Sequence, residues 1–147
     1  MDEFRFEATD MEDLSRELVA VSLRMQAETD VTVAETGGML RDAAKAIVGE
    51  HSKSIPPTVR MRMVPGAAII EAGSEDVPLA VLYEKGNRGK NADKDTFWHW
   101  VFGNKAIPKQ PQKRYPFLRP AVTLLRSEIK ARMNKAWDRA LEPLRMK

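Results

Sequence analysis

The sequence predicts an α+β fold: N-terminal helices, an antiparallel β-meander of about four strands, and a long C-terminal helix packed on the sheet. Three observations carry this. Apolar residues recur at helical spacing near both ends, alternate with polar ones in the middle, and the alternating runs are separated by short turn signals. The whole chain, residues 1–147, reads as one domain, with no internal repeat and no linker to a second unit.

Residues 1–9 alternate weakly (Phe4, Phe6, Ala8) and read as a short strand or an arm. A helix is expected from Asp10, with Thr9 or Asp10 as its cap and Glu12 and Asp13 near its positive end. Leu14, Leu18, Val21 and Met25 then form one face. The β-branched, polar segment 29–36 and the Gly37-Gly38 pair suggest a pause. Beyond it, Met39, Leu40, Ala43, Ala44, Ile47 and Val48 make a second stripe, and alanines at 43, 44 and 46 allow close packing. One long broken helix and two separate helices fit this pattern equally. Pro56-Pro57 ends it.

Thr58 to Val64 alternates apolar and basic residues, as a half-buried strand does. Pro65-Gly66 is a turn, residues 67–72 a second strand, and residues 73–76 the next turn. Residues 78–83 read as a third strand or a short irregular element. Residues 85–95 hold four basic residues, two glycines and two asparagines, the composition of a mobile loop. Residues 96–102 contain four aromatics and two β-branched residues and read as another strand. Residues 105–116, with three prolines, read as an extended connector. The last helix is the clearest: Leu118, Val122, Leu125, Ile129, Met133 and Ala136 line one face. Pro120 sits in its first turn, and Arg126, Lys130, Arg132, Lys135 and Arg139 sit on its outer face.

Net charge is +3, but its distribution is uneven. Residues 1–50 carry twelve Asp/Glu against five Lys/Arg, and residues 84–147 carry six against sixteen. Such asymmetry suits either nucleic acid near the basic half or acidic-to-basic contact between copies. The absence of cysteine excludes disulfides, thiol nucleophiles and thiolate metal sites. It fits a reducing compartment, or a particle that must not depend on redox state. No apolar run is long enough for a membrane span, and the acidic start lacks a secretory signal's apolar stretch.

The residues for catalysis are not assembled in any recognisable pattern, and no enzyme activity or cofactor is expected. His51 and His99 stand alone, without the i, i+4 partner or carboxylates of a zinc site. The loop from Gly86 to Asn91 lacks the glycine spacing and the Lys-Ser/Thr pair of a phosphate loop. Ser74 follows Gly73 but lacks the second glycine of a nucleophile elbow. Nothing in the sequence brings Glu71 and Glu84 together as a carboxylate pair. In a strand, Trp98, Trp100 and Phe102 share one face and Phe97, His99 and Val101 the other, which suits packing or a protein interface better than base stacking.

Several strings, in order, resemble the minor tail-component or tail-completion proteins of long-tailed bacteriophages, which sit in the neck where tail tube meets head. Tyr83, Glu84 and Gly86, in Leu82-Tyr83-Glu84-Lys85-Gly86, match that family's strand and Glu-x-Gly turn. Pro116, Phe117, Pro120 and Ala121, in Tyr115-Pro116-Phe117-Leu118-Arg119-Pro120-Ala121, match the opening of its C-terminal helix. Phe97, His99, Val101, Phe102 and Gly103 resemble a Phe-x-His-Pro-Val-Phe-Gly string of relatives from actinobacterial phages, with Trp100 where those have proline. Ser54 to Thr58 resembles the end of the helical region, with Val59 where a Thr-Gly pair would begin. The resemblance spans about residues 10–140.

The resemblance implies a virion structural protein of the tail and neck, assembled in the host cytoplasm. Its partners would be its own copies in a ring of six, neighbouring neck and tail-tube proteins, and DNA passing non-specifically through the channel. It implies no membrane. Lys85, Arg88, Lys90 and Lys94 in the loop, and Lys109, Lys113 and Arg114 in the connector, are the candidate contacts to DNA or to a neighbouring protein. The alternative is a small non-specific nucleic-acid-binding protein that uses its basic C-terminal half.

Overall fold

A computed structural model describes residues 8–85, 96–99, 106 and 108–145. The elements run α1 (Ala8–Gly49), a 3-10 turn (Pro56–Thr58), β1 (Arg60–Val64), β2 (Ala67–Glu71), α2 (Leu79–Lys85), β3 (Thr96–His99), β4 (Gln110–Lys113) and α3 (Leu118–Arg145). The fold is mixed α+β, with long helices at both ends as the sequence predicts.

The N-terminal region is one continuous helix of 42 residues, roughly 63 Å long at 1.5 Å per residue. Neither feature read as a pause interrupts it. In the polar segment, Thr32 and Thr36 are buried on the side facing α3, and the Thr36 hydroxyl donates to the Thr32 carbonyl at 2.7 Å. This satisfies a buried polar group within the helix itself. Gly37 marks a close approach: a Cβ there would stand 2.6 Å from the Ala68 Cβ and 2.8 Å from the Met61 sulfur. The β1–β2 hairpin therefore lies directly on α1, and a glycine in mid-helix is the space it needs.

That hairpin matches expectation. Its register pairs Arg60 with Glu71 and Val64 with Ala67. Gly66 turns at a φ of +72°, in the left-handed region that glycine adopts without strain. Three other expectations are corrected. Residues 79–85 form a helix, not a third strand: Ala80 and Tyr83 turn inward while Val81 is exposed, and a short apolar run fits either geometry. With α2 between them, the strands form two separate two-stranded antiparallel sheets, β1–β2 and β3–β4, in place of one meander. Part of the expected connector is β4, with Thr96 opposite Lys113 and His99 opposite Gln110. The side chains of residues 96–99, and residues 100–105, lie outside the described residues, and so does the two-faced reading of that strand.

A fourth correction concerns α3, which packs along α1 and not on a sheet. The helices run antiparallel: Arg139 pairs with Glu28 at 2.7 Å, the Trp137 indole N–H donates to the Thr29 hydroxyl at 3.2 Å, and Arg132 reaches Glu35 at 3.8 Å. Arg132 and Arg139 thus border the seam between the helices and do not point outward from it. Small residues let the helices approach, with Ala44, Ala121, Ala136 and Ala140 all buried. The core gathers at the other end of this pair, where Val48, Ile55, Val59 and Phe117 are almost wholly inaccessible, together with Ala80 and Tyr83 of α2.

Candidate functional site

Several of the residues singled out by sequence, among them Tyr83, Glu84, Pro116, Phe117 and Ala121, converge where α2 meets the start of α3. A helix opens with backbone N–H groups that have no partner within the helix. At α3 these come from Leu118 and Arg119. Pro120 has no N–H to satisfy, and the Ala121 N–H reaches the Phe117 carbonyl at 3.2 Å. Glu84, from the last turn of α2, supplies what is missing. Its Oε2 accepts the N–H groups of Phe117 and Leu118 at 2.8 and 2.9 Å, and its Oε1 accepts that of Arg119 at 3.1 Å. A carboxylate at this end is also favoured by the helix dipole.

This contact links the two strings that carry the family resemblance. Glu84 belongs to the first, and Pro116, Phe117, Pro120 and Ala121 belong to the second. Phe117 and Ala121 are fully buried beneath the cap. Glu71 has a different partner, Arg62 at 3.0 Å across the hairpin. The two glutamates therefore serve separate structural contacts.

Tyr83, beside Glu84, is buried, and its hydroxyl accepts the Gln112 side-chain N–H at 2.7 Å. Burial pushes its phenol above the usual tyrosine range, partly opposed by the Gln112 hydrogen bond, and the neighbouring Tyr115 adds to the rise. The Tyr83 and Tyr115 rings lie 5.9 Å apart at a steep tilt, and the His51 ring stacks on Tyr115 at 3.8 Å. Nothing in the sequence signalled this stack, because its rings are 64 positions apart. His51 is thus an aromatic packing group at the end of α1.

Three of the predicted basic residues gather around this cluster. The Lys113 ammonium lies 5.6 Å from the Tyr115 ring centre, in cation–π range. An Arg114 guanidinium N–H reaches the Lys85 carbonyl at 3.4 Å. Lys109 is exposed just before β4. Gly86, Arg88, Lys90, Lys94, Phe102 and Gly103 lie outside the described residues, and for His99 only the backbone pairing is described.

Among the described residues no group of three or more His, Asp or Glu is placed to hold a metal ion, and no helix is long and apolar enough to cross a membrane. The arrangement around Glu84 can fix the angle between elements and present cations. Among the described residues it aligns no nucleophile with a base. No family model, curated protein or solved structure matches this chain.

Two further surfaces stand out. Near the N-terminus of α1, Met11, Leu14 and Leu18 are 57, 43 and 54% exposed and line a shallow recess. At the opposite end of the helix pair, Leu40, Ala68, Ile70, Leu118 and Val122 line an apolar groove of about 310 Å³, with Arg119 at its edge.

Proposed function

We propose that this chain is a bacteriophage virion structural protein of the head–tail interface, a ring subunit of tail-completion or terminator type that joins tail tube to head. The observation that carries the reading is the Glu84 cap on α3. The two best-matching strings of the resemblance meet in one contact, from Glu84 to Phe117 33 positions later, so the motif is a device for orienting a helix. A protein whose recurring residues serve orientation and burial is suited to assembly. Its uneven charge suits contact between copies, or passage of DNA past cations without sequence preference. The terminal segment of the tail or neck is where such a ring would sit, built from six copies and touching neighbouring neck and tail-tube proteins.

Labelling intact particles with antibody against the chain tests the location. Label confined to the head–tail joint supports the reading, and label absent from particles counts against it. The second reading, non-specific nucleic-acid binding, draws on Arg126 and Lys130, exposed cations of α3 without an ion-pair partner among the described residues. It requires tight DNA binding by the isolated protein that weakens steeply with salt. Confinement in a channel needs no such affinity.

A further inference from the structure

We infer that copies of this chain associate head to tail, the exposed Met11–Leu18 stripe of α1 from one copy seating in the apolar groove of the next. The inference names the contact a ring would use. It rests on self-assembly, which the proposed function includes, and not on the location in a virion.

The first observation is a seam that outruns its partner. Val21 is buried and Met25 half-buried where α3 ends against Ala20, Val21 and Arg24. Leu18, Leu14 and Met11 continue the same stripe at spacings of three, four and three, which keeps them on one helix face. Beyond the end of α3 that face is exposed at Leu18, Leu14 and Met11, about eight residues and roughly 12 Å of helix.

The second observation is charge. The segment 11–19 carries three acidic residues, Glu12, Asp13 and Glu17, and one basic residue, Arg16, which pairs with Glu12 at 3.6 Å and Asp13 at 3.3 Å, so the segment stays net acidic. Two such segments laid together would repel, which disfavours a two-fold pairing of α1 with α1. The same excess disfavours nucleic acid, and an anionic membrane surface too. An apolar site with a cationic edge is the complement. The groove of Leu40, Ile70, Leu118 and Val122 is one. Arg119 stands on its edge, and Arg126 lies one turn beyond Val122 on the same face of α3. Both arginines are exposed and have no ion-pair partner among the described residues.

The third observation excludes closure within one molecule. Leu14 and Leu40 belong to the same continuous helix, 26 residues and roughly 39 Å apart. A straight helix cannot fold its own start into that groove, so an α1 start seated there comes from a second copy. Contacts between opposite ends are heterologous, and they close into a ring or run on as a filament according to the rotation between subunits.

The chain has no cysteine, so single introduced thiols report contacts unambiguously. The full-length Leu14→Cys protein is mixed with a size-tagged Val122→Cys protein at millimolar concentration under mild oxidation. Both positions are exposed, and melting curves confirm that each variant folds. The expected result is a mixed Leu14→Cys/Val122→Cys disulfide several-fold above either homodimer and lost in an Arg119→Glu/Arg126→Glu background. A dominant Leu14→Cys homodimer would overturn the inference in favour of two-fold pairing. Mixed product no greater than that with Val31→Cys, an exposed position elsewhere on α1, would overturn self-association through these surfaces. Neither outcome touches the location of the protein in particles, which the antibody label reads separately.

Discussion

Glu84 and Phe117 are joined by a hydrogen bond of 2.8 Å from the Phe117 backbone N–H to the Glu84 carboxylate. The same carboxylate takes the next two N–H groups of the chain. One side chain thereby ties α2 to the first turn of α3 and fixes where that helix starts. Replacing Glu84 by alanine leaves these donors without the carboxylate and removes the charge from the helix end, at a cost of about 2–3 kcal/mol. Glu84→Gln keeps an acceptor oxygen but not the charge and costs less. Urea denaturation of the three proteins checks the order: wild type, then Gln, then Ala.

Gly37 and Gly38 are adjacent in α1 and are expected to respond oppositely to alanine. A Cβ at Gly37 meets the Ala68 Cβ at 2.6 Å, and Ala68 has no flexible end to move aside. Overpacking of this kind costs about 1–3 kcal/mol. A Cβ at Gly38 meets nothing within 4 Å, so Gly38→Ala gains the helix propensity of alanine, about 1 kcal/mol. Thermal melting distinguishes them: Gly37→Ala melts lower than wild type and Gly38→Ala higher.

How much of this was legible in the sequence depends on the range of the interaction. The β1–β2 hairpin was readable because alternation and Pro65-Gly66 are local signals. Both long helices showed in their apolar spacing. The continuity of α1 through Gly37 was not, because the reason for the glycine is a hairpin some 30 positions later. Residues 79–83 misled for another cause: a short apolar run has no period of its own, and only the packing of Ala80 and Tyr83 decides it. At the candidate site, Glu84, Phe117 and Pro120 were marked by resemblance alone. That Glu84 caps the helix opened by Phe117 needed three-dimensional proximity, as did the stack of His51 on Tyr115.

Tyr83 gives the fold an alkaline limit. Burial raises its phenol above the usual value near 10. A group raised in the folded state stabilises fully below its unfolded value and loses that contribution as pH rises through the folded one. Stability is therefore expected to fall above about pH 10. Tyr83→Phe removes the Gln112 hydrogen bond, costing about 1 kcal/mol at neutral pH, and flattens this alkaline decline. Melting temperatures between pH 8 and 11 for both proteins supply the check.

Ala140 is buried where α3 passes along α1. A leucine there forces the helices apart and is expected to cost about 1–3 kcal/mol. Arg139→Ala, at the exposed edge of the same seam, removes the 2.7 Å pair with Glu28 and is expected to cost under about 1 kcal/mol, since solvent screens such pairs. Equal effects would mean that the seam is held by charge and not by close packing.

The proposed role at the head–tail joint is tested most directly by deleting the gene and imaging the particles by negative stain beside intact virus. The expected result is filled heads and separate tails that fail to join. Tails of normal length would point to completion or connection, and overlong tubes to termination. Normal, infectious particles would contradict the account and favour the DNA-binding alternative.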